Sequence, residues 1–365
     1  MIRVGIVGSR FAANLHALGL RQAPGAELMA AASPNAEDAW EFHRRYEIPH
    51  VFKDYKDMLD SGFVDAVTVA CPNDLHCEVT LAAAAAGKHV FVDKPMALNP
   101  ADCDRMIEAC RRAGVILMYG ENLCFAPKYV RAKELADEGA LGEVYYVRQL
   151  ECHFGPHSDW FWDVKRSGGG VLMDMGCHSI AFCRWIFGNA PVENVYADAG
   201  TFVHGERTRG DDHSLVVMRF GRTERHPRGG VGVAENSWAR AGGLDDRAEI
   251  FGSAGMTVAD IARGNALNTY SGPGYRYPGE KAPRSRGWSW TSFEEAWSYG
   301  FPQEMAQFVE CIDEGKQPPL TGEDGRAVLE VIFAAYESAR TGQRVSLPFE
   351  NDARRPIDLW LGESR

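Results

Sequence analysis

The sequence predicts a two-domain α/β chain: a doubly wound parallel sheet over residues 1–122, then an α/β domain with a large, mainly antiparallel open sheet over 123–365. Three observations predict it. A chain of 365 residues exceeds what one ordinary core serves. Its first 120 residues alternate short apolar runs with helical stretches, and beyond about residue 122 the segments lengthen and alternate in polarity between turn signals.

The early strands are expected at 3–7, 27–32, 66–70, 89–92 and 116–119, each short, mostly apolar and bounded by Gly, Pro or Asn, as buried parallel strands are. Helices are expected at 36–45, 75–86 and 100–113, the last with Asn99 as N-cap and Pro100 at its first position. In the second domain a helix over 127–138 precedes strands at 143–151, 192–202, 214–220, 230–239 and 248–252, and late helices over 302–314 and 322–341. Residues 271–292, rich in Gly, Pro and aromatics, read as a long loop of the functional kind.

Composition narrows the function classes. Apolar residues make up 45% and charged residues 24%, the balance of a globular protein. No stretch of about 18 apolar residues exists to span a membrane, and the start of the chain has no signal-peptide pattern. Net charge is −11 with no basic stripe, which excludes a nucleic-acid binder; the arginine-rich stretch 222–228 reads as a solvated hairpin tip. The nine cysteines are scattered, without a Cys-x-x-Cys pair, so neither a zinc ribbon nor a disulfide framework is expected; a reducing, cytoplasmic location is.

The first chemical signal is the turn Gly8-Ser9-Arg10-Phe11-Ala12-Ala13, between the first strand and a helix. A Rossmann dinucleotide fingerprint wants Gly at a tight turn, a second Gly where the pyrophosphate approaches, and a small third residue for helix–strand packing. Gly8 and Ala13 fit the first and third roles, while Arg10 stands at the second. Where an acidic residue would read the ribose, the second strand ends Ser33-Pro34-Asn35. Ser33 or Asn35 suits a bare ribose and Arg10 a 2′-phosphate, so the cofactor is NAD or NADP.

The second signal is Cys71-Pro72-Asn73-Asp74-Leu75-His76 after the third predicted strand, and the third is Gly87-Lys88-His89-Val90-Phe91-Val92-Asp93-Lys94-Pro95. The latter delivers a lysine to a strand's carboxyl end, the edge where open α/β sheets bind ligands. Asp174 and His178, four apart, share one face if their segment is helical. They read as a functional pair or as a buried His in its own helix; as a metal site they lack a third ligand.

These motifs closely resemble the Gfo/Idh/MocA oxidoreductases, the glucose–fructose oxidoreductase and inositol dehydrogenase group. Asp93-Lys94-Pro95 stands where that family has Glu-Lys-Pro, and the likeness continues through Pro72-Asn73, His76, Gly168-Gly169-Gly170 to His178, Thr321 to Gly325, and Glu337 to Gly342. The resemblance implies a nicotinamide cofactor, a sugar, glycoside or cyclitol substrate, and a homo-oligomer (dimer or tetramer). It implies a catalytic trio of Lys94, Asp174 and His178, with Gly8, Ser9, Arg10, Phe11, Ala12, Ser33, Asn35, Pro72, Asn73, His76, Asp93 and Lys94 toward the cofactor. The segment Glu121-Asn122-Leu123-Cys124 matches the family too, with Cys124 where many members have an arginine.

The chemistry suits the trio. Oxidising a secondary alcohol needs a proton acceptor, which neutral His178 supplies, and a donor to the oxygen, which Lys94 supplies. Asp174 orients the imidazole or bonds a neighbouring hydroxyl. Substrate contacts are expected from Lys94, Glu121, Asn122, Lys128, His153, His157, Asp159, Trp160, Asp174 and His178, since aromatic faces beside polar groups suit a sugar ring; no metal is expected. Two other readings are a glycoside-cleaving enzyme working by transient oxidation with bound NAD, and a non-catalytic nucleotide-binding regulator. The intact trio argues against the last.

Overall fold

The structure, a computed structural model, describes residues 1–262, 267–271, 287–291 and 294–363. Its contacts divide the chain into two compact units, Met1–Phe125 with Gly300–Arg326, and Ala126–Tyr299 with Ala327–Arg365. The division is therefore not a single cut after residue 122, because a late segment rejoins the first unit.

The first unit runs β1 (Ile2–Val7), α1 (Phe11–Leu20), β2 (Ala26–Ala32), α2 (Ala36–Tyr46), β3 (His50–Phe52), α3 (Tyr55–Asp60), β4 (Ala66–Val69), α4 (His76–Ala85), β5 (His89–Val92), α5 (Pro100–Ala113) and β6 (Leu117–Tyr119). The six strands are parallel in the order β3-β2-β1-β4-β5-β6. That order reverses direction between β1 and β4, which creates a crevice at their carboxyl ends. All five expected strands form within a residue of their expected bounds; β3 and α3 were not expected, being too short to show a period.

Local chemistry sets the ends of these helices. The Asn99 carbonyl oxygen accepts from the Asp102 amide at 2.8 Å, with Pro100 at the first turn of α5 and Gly114 ending it at φ +67°. Asn35 caps α2 in the same way, accepting from the Glu37 and Asp38 amides. Val4, Ile6, Phe42, Phe91, Met118 and Phe308 anchor the core. Phe308 belongs to α11, described below.

The second unit begins with α6 (Pro127–Asp137), β7 (Val144–Cys152), α7 (Val164–Ser167), α8 (Val171–Asp174) and α9 (Gly176–Ile186). Then come β8 (Val192–Gly200), β9 (His213–Phe220), β10 (Gly230–Ser237), β11 (Asp245–Gly252), β12 (Met256–Asp260), β13 (Leu267–Ser271), β14 (Gly287–Thr291) and α10 (Glu295–Ser298). The helix α11 (Phe301–Glu314) lies in the first unit, α12 (Gly322–Thr341) carries residues of both, and β15 (Val345–Ser346) and α13 (Pro356–Leu361) close the second.

Seven strands form one sheet, β12-β11-β7-β10-β9-β8-β15, antiparallel except for the central pair β7–β10. The helix α9 packs on β7 and β10. The expected loop 271–292 needs correction at its described ends. Ser271 closes β13, and Gly287–Thr291 is a strand paired with it, because the β-prone Trp288-Ser289-Trp290 run forms a ladder. Residues 272–286 and 292–293 lie outside the described residues. The 222–228 stretch is the β9–β10 connection, with Arg225 paired to Asp137 and Arg228 to Glu143.

Among the described residues no helix is long and apolar enough to cross a membrane. All nine cysteines are unbridged.

One position in the first unit tolerates nothing but glycine. Gly8 has φ +133°, and a Cβ there would sit 2.3 Å from the Ala70 carbonyl oxygen at the end of β4. Gly8→Ala is expected to cost about 2–4 kcal/mol of stability and to weaken dinucleotide binding, checked by urea denaturation and by titration with NAD.

Candidate active site

In the first unit the predicted cofactor residues gather at the carboxyl ends of β1, β2, β4 and β5. Gly8 donates its amide to Ala32 across to β2, and the Ser9 hydroxyl donates to Ser33 at 2.9 Å. Phe11 and Ala12 open α1, whose first turn holds no acidic residue and whose N-cap, Arg10, makes no side-chain cap. A helix start left this way suits a pyrophosphate, and the missing Cβ at Gly8 lets the turn that leads to it pass the Ala70 carbonyl. An uncapped helix start beside Gly8 and the Ser33 hydroxyl at the end of β2 are chemistry that fits a dinucleotide.

Two of the predicted cofactor contacts have other engagements. Arg10, expected as a phosphate partner, bonds Asp38 through Nε at 2.7 Å. Asn35 spends its carbonyl oxygen on the α2 cap. Pro72 and Asn73 start a 3₁₀ turn over Asn73–Leu75. His76 is buried, with Nδ1 2.9 Å from the Pro95 carbonyl and Nε2 2.9 Å from the Cys71 carbonyl. It bolts the loop after β4 to the loop after β5.

That second loop carries Lys94. The peptide bond from Lys94 to Pro95 is cis, and the Lys94 amide donates to Asp93 Oδ1 at 2.8 Å. Asp93 Oδ2 lies 3.7 Å from Nε2 of buried His16 on α1. Burial holds the His16 imidazole below its ordinary range, against the pull of Asp93. Nearby, Glu304 of α11 is pushed well above the usual carboxylate range, first by burial and then by the Asp93 and Glu121 charges. Glu121 and Asn122, expected to touch substrate, are buried just after β6. His16 and Glu304 carried no sequence signal: each becomes a neighbour of Asp93 only through the fold.

In the second unit, Asp174 and His178 do not share one continuous helix as expected. Asp174 ends α8, Met175 interrupts with φ −99° and ψ −25°, and His178 sits in the first turn of α9. Both are buried, 4% and 3% exposed. Their place is set by Gly169 and Gly170. A Cβ on Gly170 would lie 2.0 Å from the Asp211 carbonyl oxygen, and one on Gly169 would lie 2.4 Å from the Tyr336 hydroxyl. The Asp211 carboxylate accepts from the Gly170 amide (3.2 Å), the Leu172 amide (2.8 Å) and the Tyr336 hydroxyl, while its carbonyl accepts from Val171.

The floor beside His178 is polar. Asp246 on β11, Glu151 on β7, Asn236 on β10 and Ser214 on β9 stand opposite one another in register, none more than 1% exposed. Glu151 Oε2 is 4.0 Å from His178 Nε2. Asn236 donates to Ser179 (2.8 Å) and to the Met175 carbonyl, Ser179 bonds Gln149, and Asp246 accepts from Tyr129 (2.6 Å) and Gln149 (3.1 Å). The signal for this row was in the sequence, since Gln149 and Glu151 fall on the inward positions of a strand.

Other predicted substrate residues fare unequally. His153 is buried with its ring 4.5 Å from that of His157. Trp160 stacks on Phe161. Asp159, by contrast, is 92% exposed and pairs with Arg207, and exposed Lys128 donates its ammonium to the Asp260 carbonyl. Among the described residues no cluster of His, Cys, Asp or Glu has the makings of a metal site.

Comparison with known proteins agrees with this geometry. Residues 2–121 match the family model described as an oxidoreductase family with an NAD-binding Rossmann fold, and residues 129–258 match the GFO/IDH/MocA C-terminal domain. The chain is 31% identical to a myo-inositol 2-dehydrogenase of Thermotoga maritima, over 95% of this chain and 98% of that one. It is 28% identical to a scyllo-inositol 2-dehydrogenase (NAD(+)) of Bacillus subtilis, over 95% and 96%. Among solved structures it resembles GenD2 from gentamicin A biosynthesis in complex with NAD, with TM-score 0.86 and 30% identity over 95% and 97% of the two chains. The first unit is an NAD-binding Rossmann domain.

The Asp211 clamp has a measurable pH signature. Burial raises its carboxyl to about 6 from an ordinary 3.8, and the hydrogen bonds from Tyr336, Leu172 and Gly170 oppose the rise. The folded state thus holds this proton more tightly than the unfolded chain does. The stability it contributes is complete below the ordinary value and is lost as pH rises through about 6. Tyr336→Phe removes a donor to the charged form, so it is expected to cost about 1.5–3 kcal/mol. The loss should be larger above pH 6 than below it, read by urea denaturation on both sides.

Proposed function

We propose, for a chain that belongs to the GFO/IDH/MocA oxidoreductase family, that it oxidises a secondary hydroxyl of a cyclitol, sugar or glycoside with NAD. The observation that carries this reading is the polar floor of the second unit. Glu151, Asp174, His178, Asn236 and Asp246 are all at most 4% exposed. Burying so many polar and ionisable side chains costs stability that an apolar core would not. A polyol, whose every hydroxyl must find a partner, is a ligand for which that cost makes sense.

In this reading His178 takes the hydroxyl proton, Lys94 donates to the oxygen as negative charge builds there, and Asp174 fixes a neighbouring hydroxyl or the imidazole. When bound, the nicotinamide supplies the hydride acceptor. The inositol and other polyol dehydrogenases among the relatives support the substrate class. A panel of inositols, sugars and glycosides, followed by nicotinamide absorbance, tests it. Stoichiometric NADH formation is expected, and sugar release from a glycoside without net NADH would instead mean cleavage by transient oxidation. Lys94→Ala and His178→Ala should each lower kcat by about a hundredfold or more while NAD still binds; near-wild-type turnover in both would remove them from the chemistry.

Cofactor choice follows from the first turn of α2. Glu37 and Asp38 place two carboxylates just beyond Ser33, and Asp38 neutralises Arg10. A 2′-phosphate meets negative charge there, so NAD is preferred to NADP. Asp38→Asn frees Arg10 and should improve the efficiency with NADP relative to NAD by about tenfold, the effect of a single favourable contact of about 1.4 kcal/mol. An unchanged ratio would show that this corner does not face the ribose.

A further inference from the structure

We infer that Glu151 is the positioning partner of His178: a buried carboxylate that fixes the imidazole and stabilises the imidazolium formed when a substrate proton arrives. The inference rests on the reading of His178 as base. His178 lies in the first turn of α9, packed against β7 and β10. The carboxylate oxygen facing its Nε2 is Glu151 Oε2, at 4.0 Å. That is ion-pair range and just short of a hydrogen bond, a gap that a rotation of either side chain or one bridging hydroxyl closes.

Glu151 reaches His178 within ion-pair range from the strand beneath it. Other titratable or charged groups on the elements around His178 include Asp174 on α8, Cys177, Cys183 and Arg184 on α9, Cys152 on β7 with His153 just after it, Tyr129 on α6, and Asp245, Asp246, Arg247 and Glu249 on β11. Asp246 is committed on its Oδ1 to Tyr129 and Gln149. Arg148 and Glu235 belong to the opposite face of the sheet and bond each other at 2.6 Å. Glu151 alternates with Gln149 on the face that α9 covers, where a strand of this kind ordinarily carries apolar residues such as Val147.

The proton count is simple. The alcohol O–H bond breaks, its proton moves to a ring nitrogen of neutral His178, and the C–H hydrogen leaves as hydride to the nicotinamide. The imidazole then carries N–H on both nitrogens and a positive charge. The N–H at Nε2 points at Glu151, so the new charge arises beside a carboxylate already in place. A base oriented and charge-compensated by a third group is the arrangement that makes a buried histidine effective.

Glu151→Gln keeps the shape and removes the charge; Glu151→Asp keeps the charge. In folded, ¹⁵N-labelled protein, the His178 imidazole titration is assigned by its disappearance in His178→Ala. It should move to lower pH by about one unit in Glu151→Gln and return toward the wild-type position in Glu151→Asp. With a polyol from the panel, kcat should fall about tenfold or more in Glu151→Gln, KM should stay within about threefold, and the rising limb of kcat/KM against pH should move in the acid direction. An unmoved titration in Glu151→Gln that folds by circular dichroism overturns the pairing, whatever the activity. So does a raised KM at unchanged kcat, which makes Glu151 a substrate-binding group. If the titration moves but the wild type oxidises no polyol, the pairing stands and the dehydrogenase reading falls.

Discussion

The second unit depends on how closely two stretches of backbone approach. At Gly170 the chain passes so near Asp211 that no side chain fits between them, and the Asp211 carboxylate binds the amides at the start of α8. The two residues are 41 apart in sequence, so this contact determines where α8 begins and α9 follows. Asp174 and His178 ride on those two short helices. Tyr336 backs the same carboxylate from α12, tying a helix near the end of the chain into the arrangement. Three consecutive glycines are a liability in an ordinary helix start; here the second and third are the only residues the approach admits.

How much of this was legible follows from the range of each interaction. The parallel sheet could be read because buried parallel strands are apolar runs and their helices carry local caps, such as Asn99 with Pro100. The dinucleotide turn could be read for the same reason: its signal lies within six residues. The glycine run was visible, but its cause was not, because Asp211 and Tyr336 reach it only through the folded sheet. Likewise His76 looked like a cofactor contact until the Cys71 and Pro95 carbonyls came to either side of it. Asp159 and Lys128 looked functional because they stood beside aromatic or family-like segments, yet chain neighbourhood fixes neither exposure nor partner. Glu151 was the converse case, a residue whose inward phase on a strand marked it and whose importance needed α9 above it.

Electrostatics divides the two units in character. In the first, charge is managed by burial and separation. Glu304 is driven toward its neutral form beside Asp93, and His16 toward its neutral form beneath the same carboxylate. That arrangement keeps a cluster of ionisable groups under the Lys94 turn without stacking like charges, and it leaves Asp93 to receive the Lys94 amide. In the second unit, polar groups are hydrogen-bonded to one another, from Tyr129 through Asp246, Gln149 and Ser179 to Asn236. Such a network is rigid when complete and costly when a member is lost.

Under the proposed function, this contrast bears on substrate selectivity. In the proposed reading, the turn from Gly8 into α1 suits a phosphate that every dinucleotide carries, so cofactors are told apart at the ribose, by Ser33 and the Arg10–Asp38 pair. The polar row across β11, β7, β10 and β9 is different in kind, because its spacing is fixed by strand register. Neighbouring groups in the row stand one interstrand step apart, roughly 4.7–4.9 Å. The row's groups are at most 1% exposed and largely bonded to their neighbours, so in the proposed reading they fix the residues that meet the ligand, such as His178, rather than meeting it themselves. In that reading an apolar substitution at Asn236, which bonds the Met175 carbonyl and Ser179 on either side of His178, would disturb the imidazole along with the row, so the groups that position the base and those that line the floor form one unit.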